Sequence, residues 1–222
     1  MRSYGHYCAA AKALDVVGDR WTLLIVRELL LQGGCRYTDL RNGLPGIATN
    51  LLSERLKDLE AHGIVRREEA PPPVASTLYL LTDAGRGLEP VLRALLRWGV
   101  RYMPNPDGDE AFRSHWLAFP VSELLRDGEP GGPPVTIEVR VGELPSSIEL
   151  GEGKVMVHVG ASPAPDLVLA GEAPTVLGVL TGMIAIDDAR VADLHVEGAL
   201  GVLRRLEYVG PVDPERSDRQ CR

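Results

Sequence analysis

Arg36-Tyr37-Thr38-Asp39-Leu40-Arg41-Asn42-Gly43-Leu44-Pro45-Gly46-Ile47-Ala48-Thr49-Asn50-Leu51-Leu52-Ser53-Glu54-Arg55-Leu56-Lys57-Asp58-Leu59-Glu60-Ala61 decides the fold of the first half of this chain. A short helix around Thr38 to Arg41 runs into a turn at Gly43-Leu44-Pro45-Gly46. A longer helix then extends from about Ala48 to Ala61 and is closed by Gly63. Helical phasing gathers Ala48, Leu51, Leu52, Leu56 and Leu59 into one arc and leaves Thr49, Asn50, Ser53, Lys57 and Glu60 outside it. Small and amide side chains near a helix N-terminus suit base edges, and the free N–H groups there suit a phosphate. An ordinary solvated face accounts for the same arc, so the surrounding sequence has to decide.

Upstream, Tyr7, Cys8, Ala11, Leu14 and Val17 recur at three- and four-residue steps, a helical stripe that stops at Gly18. Asp19 is placed to cap a second helix whose buried face is Trp21, Leu24, Ile25, Leu29 and Leu30, ended by Gly33-Gly34. Downstream, Ile64 to Glu69 and Thr77 to Leu81 read as strands flanking the proline-stiffened loop Ala70-Pro71-Pro72-Pro73-Val74-Ala75-Ser76. Three helices with such a hairpin make a winged helix, in which one helix enters the major groove while the hairpin tip reaches backbone or minor groove. Arg66 and Arg67 sit at the hairpin base, where one is expected to pair with Glu68 or Glu69, and phosphate contact stands against solvated charge as their role. Thr82-Asp83-Ala84-Gly85 starts a further helix, kinked at Pro90, with Leu88, Val91, Leu92, Leu95 and Trp98 on one stripe up to Tyr102. A wing unit of roughly 80 residues has little interior to hide that stripe. It is expected to pack on the same helix of a second copy, or on the C-terminal domain.

At these residues the sequence resembles the HxlR family of bacterial winged-helix transcriptional regulators, relatives of the MarR type. The resemblance rests on Tyr7-Cys8, Ala13-Leu14-Asp15-Val16-Val17-Gly18-Asp19-Arg20-Trp21-Thr22-Leu23-Leu24-Ile25, Arg36-Tyr37-Thr38-Asp39-Leu40, Leu44-Pro45-Gly46-Ile47, Leu52-Ser53-Glu54-Arg55-Leu56-Lys57-Asp58-Leu59-Glu60 and Leu81-Thr82-Asp83-Ala84-Gly85. Several blocks in fixed order make it specific over residues 6 to 102. It implies a homodimer on an inverted-repeat operator in double-stranded DNA, with the Ala48 to Ala61 helix as recognition helix. The implied DNA-binding residues are Arg36, Thr49, Asn50, Ser53, Arg55, Lys57, Arg66, Arg67, Ser76 and Thr77. Where the family usually has Ser before this helix the chain has Ala48, which cannot cap, so Thr49 or Asn50 substitutes. Arg55 lies at the edge of the buried arc and holds either a phosphate or an internal carboxylate. Cys8 stands where some family members keep a cysteine that senses oxidants. Its neighbours offer one cation, Lys12, and no base, so a buried, inert thiol is the expectation and a redox role the alternative.

The length of 222 residues suits two domains, and the charge is polarised. Residues 1–105 carry 14 Lys+Arg against 11 Asp+Glu, net +3, and residues 106–222 carry 10 against 20, net -10, which together give the overall -7. Only the first half is suited to a polyanion. The sign changes at Met103-Pro104-Asn105-Pro106-Asp107-Gly108-Asp109, a breaker cluster. We therefore expect a DNA-binding and dimerisation domain at 1–105, a second domain at 106–210 and a frayed tail at 211–222. In the second domain a helical stretch from Glu110 to Leu125 precedes the break at Gly128 to Pro134. Val135, Ile137, Val139 and Val141 then alternate with Thr136, Glu138 and Arg140, a strand with one wet face. Further strands are expected at Ser146 to Leu150, Lys154 to Val159, Asp166 to Ala170 and Asp193 to Val196, with helices at Pro174 to Ile184 and Ala199 to Leu206, an α+β fold.

The helix from Pro174 to Ile184 has no charge on any face. With the strand order around it, the region from about 110 to 208 resembles the sterol carrier protein type 2 fold. That resemblance implies a hydrophobic small-molecule effector, with Trp116, Val179, Leu180 and Met183 as contacts or, failing that, as plain core. The alternative function is a lipid carrier whose winged helix serves dimerisation only.

No apolar run approaches the roughly 18 residues of a membrane span, and Met1 to His6 lacks a signal-peptide core, so a cytoplasmic protein without a membrane partner is expected. Cys8, Cys35 and Cys221 are odd in number and far apart, and His6, His62, His115, His158 and His195 are dispersed. No H-E-x-x-H, G-x-S-x-G or Gly-rich phosphate loop occurs. We expect no metal, no cofactor and no enzymatic reaction.

Overall fold

The computed structural model describes residues 3–70, 76–103, 111–142, 144–191 and 193–210. They pack as two units, Met1–Leu92 and Arg93–Arg222.

The first unit contains helices α1 (Ala9–Val17) and α2 (Thr22–Gln32), strand β1 (Cys35–Arg36), helices α3 (Tyr37–Gly43) and α4 (Thr49–Ala61), strands β2 (Val65–Glu69) and β3 (Thr77–Leu81), and the short helix α5 (Asp83–Arg86). Helix α6 (Glu89–Gly99) begins in this unit and ends in the second. Strand β3 lies between β1 and β2, antiparallel to both. The core is apolar at the positions helical periodicity requires: Ile25, Val26 and Leu29 of α2, Leu40 of α3, and Leu52, Leu56 and Leu59 of α4 are all buried. Burying each leucine contributes about 1.5–3 kcal/mol, so α4 is held through its inner face and its outer face stays free for other work.

Three local expectations are corrected here, the first being Leu24, expected on the buried face of α2 but 39% exposed. Asp19 does not cap α2: Trp21 occupies the N-cap position with φ 79, and the Asp19 carboxylate lies 3.1 Å from Arg55 Nη1. A guanidinium is a stronger partner for a carboxylate than a helix N–H. Nor does Pro90 kink a long helix. The chain breaks at Gly87 and Leu88, so Pro90 falls in the first turn of α6, where no backbone N–H is needed.

The second unit begins with the remainder of α6 and a 3-10 turn, Val100–Tyr102. A further 3-10 turn, Ser114–Leu117, leads into α7 (Ala118–Leu124), followed by β4 (Leu125–Asp127), β5 (Val135–Arg140), β6 (Pro145–Gly151), β7 (Lys154–Val159) and β8 (Leu167–Ala170). Helices α8 (Ala173–Leu180) and α9 (Ile186–Val191), strand β9 (His195–Gly198), the 3-10 segment Leu200–Arg205 and β10 (Leu206–Tyr208) complete it. The main sheet has the order β7-β6-β5-β8-β9, with β8 parallel to β5 and every other neighbour antiparallel. Ile137, Val139, Ile148, Leu150, Leu167 and Leu169 from the sheet share one buried cluster with residues of α7 and α8.

Several expectations for this unit change. Leu125 ends as strand rather than helix, because β4 pairs with β10. The helix expected to reach Ile184 stops at Leu180: Gly178 O accepts from both Met183 N and Ile184 N, and the Ile184 side chain folds back over Gly178. The helix expected at Ala199 to Leu206 is 3-10, and the last sheet strand is His195–Gly198. On the face expected to be wet, Glu138 is only 2% exposed, accepting from Ser162 N at 2.9 Å and from Arg140 Nε at 2.7 Å. The Asp127–Arg205 pair is likewise buried, with Nε to Oδ1 at 2.9 Å and Nη2 to Oδ2 at 2.8 Å. Hydrogen bonding from Arg205 holds the Asp127 carboxyl below the usual carboxylate range, against the opposing effect of burial. The expected boundary cluster lies largely outside the described residues, as do the hairpin loop at 71–75 and the tail at 211–222.

Candidate nucleic-acid interface

Helix α4 begins without a side-chain cap. Ala48 stands at the N-cap with φ -71 and ψ 140, and its methyl side chain offers no acceptor to the free N–H groups of the first turn. Thr49 and Asn50 do not substitute from inside the helix; both are exposed at its start, as is Ala48, which the phasing had grouped with the buried arc. Farther along, Lys57 is exposed and Ser53 half-buried. The first turn is instead held from outside by Tyr37, at the start of α3. Its ring packs against the core, its hydroxyl donates to the Thr49 carbonyl at 2.8 Å, and Ser53 Oγ donates to that hydroxyl at 3.3 Å. Helix α3 is fixed in turn, since the Asp39 carboxylate accepts from Arg36 N at 2.9 Å.

Beneath α3, Glu28 is wholly buried in α2, accepting from Arg27 and from Gln32 Nε2. A Cβ at Gly43 would lie 2.3 Å from Glu28 Oε2, so the glycine is what lets α3 end against that carboxylate. Neither Tyr37 nor Glu28 stood out from the sequence. The available signals were an aromatic at the first position of a short helix and one acid inside an apolar helix face.

Three of the four arginines nominated from the sequence, Arg55, Arg66 and Arg67, are engaged in ion pairs within the protein. Arg55 is only 16% exposed and takes three carboxylates, Asp58 at 2.7 Å, Asp19 at 3.1 Å and Glu54 at 3.5 Å. Arg66 pairs with Glu68, as foreseen for this hairpin base. Arg67 reaches instead to Glu60 of α4 at 2.6 Å and lies over the Tyr79 ring, joining hairpin to helix. Thr77 Oγ1 donates to Glu69 at 2.8 Å, and the Ser76 hydroxyl is buried with no hydrogen-bond partner among the described residues. Of the nominated residues Arg36, Thr49, Asn50, Lys57, Arg66 and Arg67 are exposed, the last two in ion pairs, while Arg55 and Ser53 are half-buried.

Cys8 is exposed, against the expectation of a buried thiol. It occupies the N-cap position of α1, where the N–H groups of Ala11 and Ala10 pull its pKa down. Cys35 is the opposite case: burial, then Asp39 and Glu28, push its thiol up to about 12. Of the four nominated ligand contacts, Val179 and Leu180 sit in the packed cluster of the second unit and Met183 is 45% exposed. Trp116 packs edge-on against Phe112 and His115. A 490 Å³ cleft has a rim rich in carboxylates, including Asp15, Asp19 and Asp58 around Arg55, and a 480 Å³ open depression lies at Ala94, Trp98 and Val209; none of the four nominated contacts lines either.

Residues 16–107 match the family described as HxlR-like helix-turn-helix. The uncharacterized HTH-type transcriptional regulator YvaP of Bacillus subtilis is 38% identical over 92 residues, which is 41% of this chain and 84% of that protein. A second relative, the uncharacterized HTH-type transcriptional regulator sll1512 of Synechocystis sp., is 38% identical over 99 residues, 45% of this chain and 73% of its own length. Among solved structures, the reduced form of the transcriptional regulator YodB from B. subtilis is 30% identical with a TM-score of 0.39, covering 46% of this chain and 100% of that one.

Proposed function

This chain belongs to the HxlR-like helix-turn-helix family, and from that premise we propose that it is a sequence-specific DNA-binding transcriptional regulator acting as a homodimer on an inverted repeat. The observation that carries the proposal is the outer face of α4, where Thr49, Asn50 and Lys57 stand exposed on a helix whose inner face is locked by Leu52, Leu56 and Leu59. Two copies are proposed to meet through α6: Val91, Leu95 and Trp98 are 44%, 43% and 55% exposed, an apolar stripe at helical spacing. The opposite side of that helix is already used, since Arg93 and Arg97 both pair with Glu123 of α7. Occupying an operator excludes polymerase, so repression is the proposed outcome. The DNA-binding part is taken as residues 1–105, because the family match reaches residue 107, beyond the packing division inside α6.

Residues 106–210 are proposed to follow the sterol carrier protein type 2 plan and to take a hydrophobic small molecule that biases DNA affinity. The support is the sheet order β7-β6-β5-β8-β9 with its single parallel pair, together with the charge-free α8. A ligand touching Val179 and Leu180 has to open a packed cluster, and it couples to DNA only if it favours one conformation over another. A second reading rests on Cys8. An exposed thiol with a lowered pKa reacts readily, so oxidation there is a candidate switch.

Selection of duplexes from a random pool, followed by fluorescence anisotropy across salt concentrations, tests the regulator. Enrichment of an inverted repeat bound with steep salt dependence is expected. Absence of any sequence preference would return the protein to the carrier alternative. Extraction of the purified protein and mass spectrometry tests for the small molecule. Loss of DNA binding on peroxide treatment in wild type but not in Cys8→Ser identifies the thiol switch.

A further inference from the structure

The uncapped start of α4 and the Tyr37 hydroxyl are two halves of one arrangement. A helix that presents its first turn to a base edge must hold that turn within a few tenths of an ångström, yet the first turn is where a helix frays. Ala48 supplies no side-chain oxygen to pin it. Tyr37 does the pinning from the neighbouring helix. Its ring is anchored on the first unit's core, and its hydroxyl bridges the Thr49 carbonyl and the Ser53 hydroxyl, which lie one helical turn apart on the same side of α4. Resting on the DNA-binding reading above, we propose that Tyr37 is a positioning residue for sequence recognition, and that it divides the labour along α4. Ser53 spends its hydroxyl proton on Tyr37 and so is not a free donor to bases, whereas Asn50, exposed on the adjoining face, keeps both its amide donor and its acceptor for an adenine or comparable edge.

Positioning and direct contact predict different binding data. A hydroxyl that touched a phosphate would contribute to every duplex alike, because phosphate contacts carry no sequence information. A hydroxyl that sets the first turn of the recognition helix contributes only where base edges are being read. The experiment uses the full-length protein, a duplex carrying the repeat selected by wild type and a scrambled duplex of equal length and composition. Tyr37→Phe keeps the ring in the core and deletes only the hydroxyl, and Ser53→Ala removes the second partner.

Tyr37→Phe should bind the selected duplex roughly fivefold more weakly, leave scrambled-duplex binding and its salt slope unchanged, and lower the discrimination ratio by that factor. The double variant Tyr37→Phe/Ser53→Ala should be less impaired than the product of the two single effects, because the pair acts through one bridge. Equal loss on both duplexes would make Tyr37 a backbone contact and overturn the inference. An unchanged discrimination ratio, or full additivity with Ser53→Ala, would overturn it as well. A wild type with no sequence preference sinks the regulator reading and this inference with it, whereas a selective wild type alongside an indifferent Phe variant sinks the inference alone. A thermal melt of each variant in the absence of DNA separates a folding loss, which lowers both affinities together, from the selective loss.

Discussion

Glu60→Gln should make this protein bind DNA more tightly. In the free protein the Glu60 carboxylate takes Arg67 at 2.6 Å, with the two side chains 38% and 43% exposed. For Arg67 to reach a phosphate that pair has to open, and an exposed pair of this kind is worth about 0.2–1 kcal/mol after solvent screening. Removing the charge at Glu60 spares that cost, a gain of roughly 1.4- to 5-fold per protomer, which squares in a dimer that uses both copies. It also removes a negative charge from the edge of the interface. Arg67 stays in place without its carboxylate because its guanidinium lies over the Tyr79 ring, 5.7 Å from the centroid. The assay is anisotropy with the selected duplex between about 50 and 200 mM salt, the range over which phosphate contacts lose affinity steeply. Wild type, Glu60→Gln and Arg67→Gln should fall in the order Glu60→Gln tightest and Arg67→Gln weakest, with the salt slope of Arg67→Gln shallower by about 0.9 per protomer. If Glu60→Gln and Arg67→Gln both match wild type in affinity and slope, Arg67 makes no phosphate contact and belongs only to the junction between α4 and the hairpin.

Asn50→Ala should change which sequences a random pool yields, by about 1–3 kcal/mol at one base pair, rather than weaken all duplexes together; an unchanged selected motif would remove Asn50 from the reading set. Arg205→Leu leaves the buried Asp127 carboxylate without its cation and should cost about 3–5 kcal/mol in urea unfolding. Because Asp127's folded pKa is lowered, its stabilisation is present above the unfolded value, near 3.9, and is lost as pH falls through the folded value. The gap between wild type and Arg205→Leu should therefore narrow in acid, and a gap constant from pH 7 to pH 3 would refute the assignment. Iodoacetamide at neutral pH should modify Cys8 and leave Cys35, buried with its thiol pushed up to about 12, untouched until the protein unfolds. Peptide mapping reads this in a Cys221→Ser background, and equal labelling of Cys8 and Cys35 in the folded state would contradict it.

Periodicity carried most of the first unit. Leu52, Leu56 and Leu59 are buried because residues three and four apart share a helix face, and Asn50 and Lys57 are exposed for the same reason. Alternation likewise located β5, and the glycine and proline clusters located its turns. Short elements were poorly resolved: β4 and β10 have three residues each, too few to show a period, and exist because they pair with one another. Partner choice failed most often. Asp19 suits a helix cap by its position, but Arg55 of α4 comes within reach and takes it. At the hairpin base one arginine, Arg66, does take its neighbour Glu68, but the reach of Arg67 to Glu60 on another element is not visible in chain spacing.

The order of residue types was enough to establish the helices, the hairpin and the face of α4 that looks outward, because side-chain direction follows from backbone geometry within a single element. Which hydroxyl steadies that face, which carboxylate holds each arginine and which cysteine meets solvent were settled when the elements packed. Those outcomes depend on ångström distances between segments as far apart as Asp127 and Arg205, and the spacing of residues along the chain does not encode them.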